Sequence, residues 1–141
     1  MGLQERENEI IDEFAIFSDW MEKYEYIIDL GKELSPIDSE YKTDSYKING
    51  CQSQVWLHAW KSEGKVHFEA DSDAIITKGI IALLIRALND LSPEEILNAD
   101  LAFIDEIGLK EHLSPTRANG LLSMIKQMKL YAVGLQHKST I

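Results

Sequence analysis

The chain has a single cysteine, Cys51, in the run Asn49-Gly50-Cys51-Gln52-Ser53-Gln54-Val55-Trp56. One thiol cannot close an internal disulfide, and it is too few for a Cys-rich zinc or iron-sulfur centre. As a thiolate it would be a nucleophile, and a loop between strands is where such a group is usually presented. Gly50 permits a bend beside it, and Ser53 with the amides of Gln52 and Gln54 offers donors that would stabilise a thiolate or a bound sulfur anion. No Lys, Arg or His lies within three residues, so nothing local strongly depresses the thiol's pKa. A free cysteine also occurs as a small buried hydrophobe, and the local residues leave the reactive and the structural roles both open.

Other chemistries are less well supplied. The histidines are His58, His67, His112 and His137, and a Cys-His hydrolytic or redox site would need one of them aimed at Cys51. No spacing brings one there. Zinc held by Cys51, His58, His67 and Asp71 lacks the paired CxxC or HxxxH spacing of a strong metal motif. A third class is an adaptor without chemistry, binding a partner through Trp56, Trp60 and an acidic face.

The elements that must position Cys51 can be read from period. Ile10, Phe14, Phe17 and Met21 mark one face of an amphipathic helix over Glu5 to Trp20. Asp19 and Glu22 form a capping-box pattern that opens a second helix, with Gly31 set to end it in the left-handed conformation. Leu34 to Asp44 reads as a loop. From Tyr46 to Asp71 the period becomes 2: strands over Gln54–Lys61 and Lys65–Asp71 are joined by a two-residue Glu63-Gly64 turn, which pairs Ala59 with Phe68 and Leu57 with Ala70. The opposite face then carries Trp56, His58, Trp60, His67 and Glu69. Tyr46 to Ile48 is expected as a short third strand.

The most apolar segment, Ala74 to Leu91, predicts a buried central helix, which Asp71 and Asp73 stand ready to cap. Ser92-Pro93 and Ser114-Pro115 start later helices, the last one ending near Gly134.

The expectation is one α/β (α+β) domain over residues 1–141, long enough to bury a core. The net charge is −10, and residues 1–44 alone carry 13 Asp and Glu against 4 Lys and Arg. Such acidity argues against nucleic acid, whose phosphates need clustered cations. It suits either a solvated helical face or a surface for a basic partner. Glu5, Arg6 and Glu7 stand where a secretory signal would need an apolar run, and the longest such run, Gly79–Ile85, falls far short of the roughly 20 residues of a membrane span. A cytoplasmic protein without a membrane partner is therefore expected, a homodimer being left open.

Three motifs add a resemblance. Gly50–Leu57 (GCQSQVWL), Asp71–Gly79 (DSDAIITKG) and Leu113–Leu121 (LSPTRANGL) resemble, in the same order, segments of the SufE family of sulfur acceptors. Together with Trp20–Gly31 the resemblance covers nearly the whole chain. It implies a SufE/IscU-like fold, a small three-stranded antiparallel sheet flanked by helices with the cysteine loop over a shallow apolar cavity. It also implies that Cys51 takes sulfur from the persulfide of a SufS-like cysteine desulfurase, stimulating that enzyme, and delivers it to an iron-sulfur scaffold of the SufBCD kind. The pyridoxal phosphate would belong to the desulfurase, and this chain would need no cofactor or metal. Gly50, Gln52, Ser53 and Gln54 become loop support. Arg117 of the third motif faces the loop or the partner, and Asp71, Asp73 and Lys78 are secondary candidates for docking.

Overall fold

The computed structural model describes residues 2–136; His137 and the rest of the polar tail lie outside them. Two helices come first, α1 (Leu3–Ala15) and α2 (Trp20–Glu33), followed by 3-10 turns at Ser39–Tyr41 and Asp44–Tyr46. A hairpin follows, β1 (Val55–Ser62) and β2 (Lys65–Ser72), then α3 (Ile75–Leu88), the short α4 (Pro93–Leu97), α5 (Phe103–Glu106) and α6 (Leu109–His112), and finally α7 (Pro115–Gln136). Among these no helix is long and apolar enough to cross a membrane.

The hairpin has the register its alternation predicts. Glu63 and Gly64 both take positive φ, as a type I′ turn demands, and Ala59 pairs with Phe68 and Leu57 with Ala70. Val55, Leu57, Ala59, Val66, Phe68 and Ala70 are buried on the inner face against α3 and α7. The sheet has two strands rather than three. Residues 44–46 curl into a 3-10 turn, so only Lys47 bridges to Trp56 before Gly50, at φ +92°, turns the chain away.

Four boundaries move for local reasons. Helix α1 stops at Ala15 rather than Trp20, because Asp19 must be extended to accept the N–H of Glu22 and open α2. Asp71 and Asp73 do not cap α3. Its N-cap is Ala74, whose N–H donates to Ser72 Oγ at 3.2 Å, while both carboxylates are engaged elsewhere. The same helix ends at Leu88 instead of Leu91. Asn89 leaves helical geometry and takes the N–H of Phe68 on its side chain at 2.7 Å, and Leu91 bridges Val66. Arg6 donates to the carbonyls of Ala87 and Asn89, a cation placed where the helix dipole favours one. Finally, α7 runs past Gly134 through Gln136; Ser114 does open it, accepting from the N–H of Arg117 at 3.3 Å.

Gly31 does not end α2, which continues to Glu33. It lies buried inside the helix, against Gly79 of α3. A Cβ on Gly79 would stand 2.1 Å from the Ile27 carbonyl oxygen, and one on Gly31 2.8 Å from the Gly79 nitrogen. The two backbones touch, and neither can retreat as a flexible side chain would. Arg86 ties α3 to both α1 and α2: it donates to both carboxylate oxygens of Glu13 and, at 3.1 Å, to the Tyr26 hydroxyl, which itself donates to Glu13. The Arg86 hydrogen bond, against the opposing effect of burial and with help from Tyr26, holds the Glu13 carboxyl below its ordinary 4.5.

Two outcomes are expected. Gly79→Ala lowers the unfolding free energy by about 2 kcal/mol or more, whereas Gly134→Ala, whose methyl would meet nothing within 4 Å, raises it by about 0.5–1 kcal/mol. Urea midpoints check both. The depressed Glu13 pKa makes its contribution complete above the unfolded value near 4.5 and lost as pH falls through the folded one. Glu13→Gln therefore costs no more than about 1 kcal/mol at neutral pH, the pair being partly exposed, and flattens the stability-versus-pH curve below pH 4.5.

Candidate functional site

Cys51 stands on a six-residue excursion between Ile48 and Val55, closed at its neck by the Ile48 N–H donating to the Val55 carbonyl at 2.8 Å. The entry depends on Gly50. Its φ of +92° disfavours any side chain, and a Cβ there would stand 2.4 Å from Ser123 Oγ of α7. The exit depends on Asp73, which accepts the Gln54 N–H at 3.0 Å and its side-chain amide at 3.2 Å. Ser72 Oγ and the Asp73 N–H both donate to the Gln54 carbonyl, at 2.8 and 3.2 Å. Gln54 is thus a latch, and its backbone N–H is not free to stabilise a thiolate as its position in sequence suggested.

Between neck and latch the loop lies on the first turns of α7. The thiol is half-buried over Gly120, close enough that a Cβ there would stand in van der Waals contact with Sγ at 3.5 Å. The thiol donates to the Gly120 carbonyl at 3.7 Å. Cys51, Gln52 and Ser53 line one side of a cavity of about 70 Å³, and Thr77, Ile80, Thr116, Arg117, Gly120 and Met124 line the rest. Burial pushes the Cys51 thiol up from its ordinary value, and no neighbouring cation opposes it. A carbonyl partner and partial desolvation both favour S–H over thiolate, so the resting thiol is sheltered and weakly nucleophilic.

The sequence candidates separate into two sets. Cys51, Gln52, Ser53 and Arg117 meet at the cavity, flanked by Gly50 and Gln54. Arg117 is exposed, and among the described residues its guanidinium makes no ion pair. Asp71 and Lys78 do not line the cavity. Asp71 is held by Lys78 at 3.2 Å and Lys42 at 3.1 Å. Burial works to raise its pKa, but hydrogen bonds from Lys42, the Ser72 N–H and Lys78 outweigh it and keep the carboxyl below the ordinary range. Thr77, Ile80, Thr116, Gly120 and Met124 were not singled out in the sequence, although LSPTRANGL already contained Thr116 and Gly120; their signal was a glycine inside a helix start.

No histidine of the described residues lines the cavity. His58 is bound to Glu69 at 3.1 Å and stacked on Tyr41, and His112 is stacked on Trp20. Among the described residues no three of His, Cys, Asp and Glu gather to hold a metal.

Comparison with known proteins gives the family. Residues 8–132 match the family model of the SufE Fe-S metabolism associated domain. The chain belongs to the SufE family. This places it in Fe-S metabolism. It is 43% identical over 131 residues to SufE-like protein 1, chloroplastic/mitochondrial, of Arabidopsis thaliana, covering 92% of this chain and 35% of that one. It is 40% identical over 127 residues to an uncharacterized SufE-like protein of Synechocystis sp., covering 90% of this chain and 80% of that one. This SufE chain thus spans about a third of the plant relative's length and four-fifths of the cyanobacterial one's. Its fold resembles the solution structure of a hypothetical protein from Thermus thermophilus, with a TM-score of 0.79 at 19% identity over 94% of this chain and 97% of that one.

The sheltered thiol has a direct consequence. Alkylation of Cys51 by iodoacetamide is expected to titrate with a midpoint above the ordinary thiol value of about 8.5. Labelling rates from pH 6.5 to 10 check it, and a midpoint at or below that value contradicts a thiol desolvated at rest.

Proposed function

We propose that Cys51 accepts a sulfane sulfur from the active-site persulfide of a pyridoxal-phosphate cysteine desulfurase and relays it to iron-sulfur cluster assembly. The observation that carries this reading is the seating of the chain's one thiol, on a loop hinged at Gly50 and latched at Gln54, over a cavity of about 70 Å³. A cavity of that size has room for the outer sulfur of a persulfide beside Cys51.

The exchange balances without an outside oxidant. Cys51 loses its proton to solvent as the loop lifts off the Gly120 carbonyl, and its thiolate attacks the outer sulfur of the donor persulfide. One sulfur-sulfur bond breaks, another forms at Cys51, and the donor cysteine leaves as thiolate. A second exchange on the acceptor protein restores the Cys51 thiolate. Arg117, on the rim and exposed, suits the Cys51 persulfide anion or a carboxylate of the docked enzyme. Asp73 holds the loop through Gln54, and Lys78 with Asp71 forms a charged shoulder beside it, a secondary docking surface. The cofactor is the desulfurase's own.

A passive adaptor is separated by a single substitution. After incubation with desulfurase and cysteine, mass spectrometry is expected to find one added sulfur on Cys51 that dithiothreitol removes. Cys51→Ser should abolish the stimulation of alanine release. An adaptor would keep that stimulation and gain no sulfur.

A further inference from the structure

The outer face of the hairpin carries a row of rings that the Cys51 chemistry does not use. Tyr41 stacks on His58 with ring centroids 3.6 Å apart and planes 8° from parallel. His58 lies 5.3 Å from Trp60, and Trp60 lies 5.6 Å from His67, both stacked. Tyr46 closes on the edge of Tyr41 and His58. Trp60 is one of the few large apolar side chains left exposed, at 39%. Beside this row is a cavity of about 420 Å³ lined by Tyr41, His58 and Trp60 together with Asp38, Glu40 and Glu69. Its lining holds three carboxylates and no lysine or arginine, and it shares no residue with the Cys51 cavity.

The chain shows what such a site takes. On the same face, the pair Trp56 and Asp71 already receives a cation: Lys42 Nζ stands 5.0 Å over the Trp56 ring and 3.1 Å from the Asp71 carboxylate. Ring face and carboxylate hold one ammonium between them. Further along the ladder, Trp60 and Glu69 lie on the same face one pair apart, Glu69 held by His58 at 3.1 Å, while Asp38 and Glu40 add charge and no lysine or arginine of the described residues enters the lining.

We propose that this face docks an arginine-bearing segment of a partner protein, the guanidinium packing on the exposed Trp60 at the end of the row and pairing with Asp38 or Glu40. A guanidinium suits the site better than an ammonium because it is planar, weakly hydrated and able to stack while forking onto a carboxylate. A protein segment suits it better than a small cation because a second cavity, about 360 Å³ and sharing His58, opens alongside with Ala59, Leu130, Tyr131 and Leu135 in its lining. Leu130 and Val133 are exposed next to it on α7. A charged, aromatic cavity beside an apolar one fits a chain carrying arginine next to an apolar side chain. The chain's net charge of −10 draws such a basic segment in from a distance.

The test uses the full, isotopically labelled chain and the peptide acetyl-Leu-Gly-Arg-Gly-amide, followed by nitrogen-proton NMR. Expected are saturable shifts of the Trp60 indole N–H and of the backbone N–H groups of Tyr41 and Glu69, with Cys51 and Gly120 undisturbed. The citrulline counterpart should bind about tenfold more weakly. Trp60→Ala should weaken binding severalfold. The double variant Asp38→Asn with Glu40→Gln should do the same, and as two exposed isosteric changes it tests the charge should Trp60→Ala disturb the hairpin. Equal affinity for the citrulline peptide overturns the proposal. So does arginine amide binding as tightly as the peptide, which would make this a small-cation site. Shifts spread without saturation along α1 and α2 would reduce the effect to bulk acidity and overturn it as well.

Discussion

Two glycines set the distance on which the fold depends. With Gly31 and Gly79 lacking side chains, α2 and α3 meet backbone to backbone, and α3 is drawn into the centre where Ile80, Ile81, Leu83, Leu84, Ala87 and Leu88 are all buried. Everything that matters to Cys51 is then measured from α3. Its first two turns supply Thr77 and Ile80 to the cavity lining, its entry segment supplies the Asp73 latch, and the hairpin leans on its flank. Helix α7 closes the arrangement from the other side, fixed to the sheet by the Tyr131 hydroxyl donating to the Leu57 carbonyl at 2.8 Å. A displaced α3 would therefore change the cavity before it changed the cysteine loop itself.

The seating of Cys51 sets protection against reactivity. Burial and the Gly120 carbonyl favour the protonated thiol, which resists oxidation but attacks slowly. In the sulfur-relay reading the thiolate is wanted only while a donor is docked, so a thiol that ionises on leaving its cavity is suited to the task. The loop's attachments fit such a movement. Neck and latch are backbone and carboxylate hydrogen bonds at either end, while among the described residues Cys51 to Ser53 are held only by the weak sulfur contact and by packing. A free-standing redox cysteine would be built the other way, with a cation close by to hold the thiolate.

Much of this was legible in the residues. The hairpin register followed from the alternation of Leu57, Ala59, Phe68 and Ala70 and from the Glu63-Gly64 turn, because a slip of one residue would have reversed every side chain. The Cys51 loop followed from Asn49-Gly50, and Arg117 from its motif. What was not legible were contacts between distant segments. Gly31 carries the local signature of a helix end, and only Gly79, nearly fifty positions on, makes it an interior contact. Asp73 likewise looks like a cap for α3, yet Gln54 competes successfully with the helix by offering two donors to one carboxylate. Tyr46 to Ile48 has strand-like residues, but a strand needs a partner along its length, and the turn at Gly50 limits it to one bridge.

Charge connects the two faces of the molecule without joining them. Most of the acid lies in residues 1–44, which contribute α1, α2 and the 3-10 turns bearing Asp38 and Glu40. The Cys51 cavity is by contrast lined by Thr116, Met124, Ile80 and the uncommitted Arg117, with no carboxylate in its wall. A persulfide is an anion at neutral pH, so an acidic lining would oppose its formation, whereas an exposed guanidinium would not. Acidity concentrated elsewhere can attract a basic surface over a range set by ionic strength while leaving the thiol's own surroundings close to neutral. In the sulfur-relay reading, the separation of Asp38, Glu40 and Glu69 from the Cys51 cavity suits a carrier drawn to a partner by one face and reacting through another.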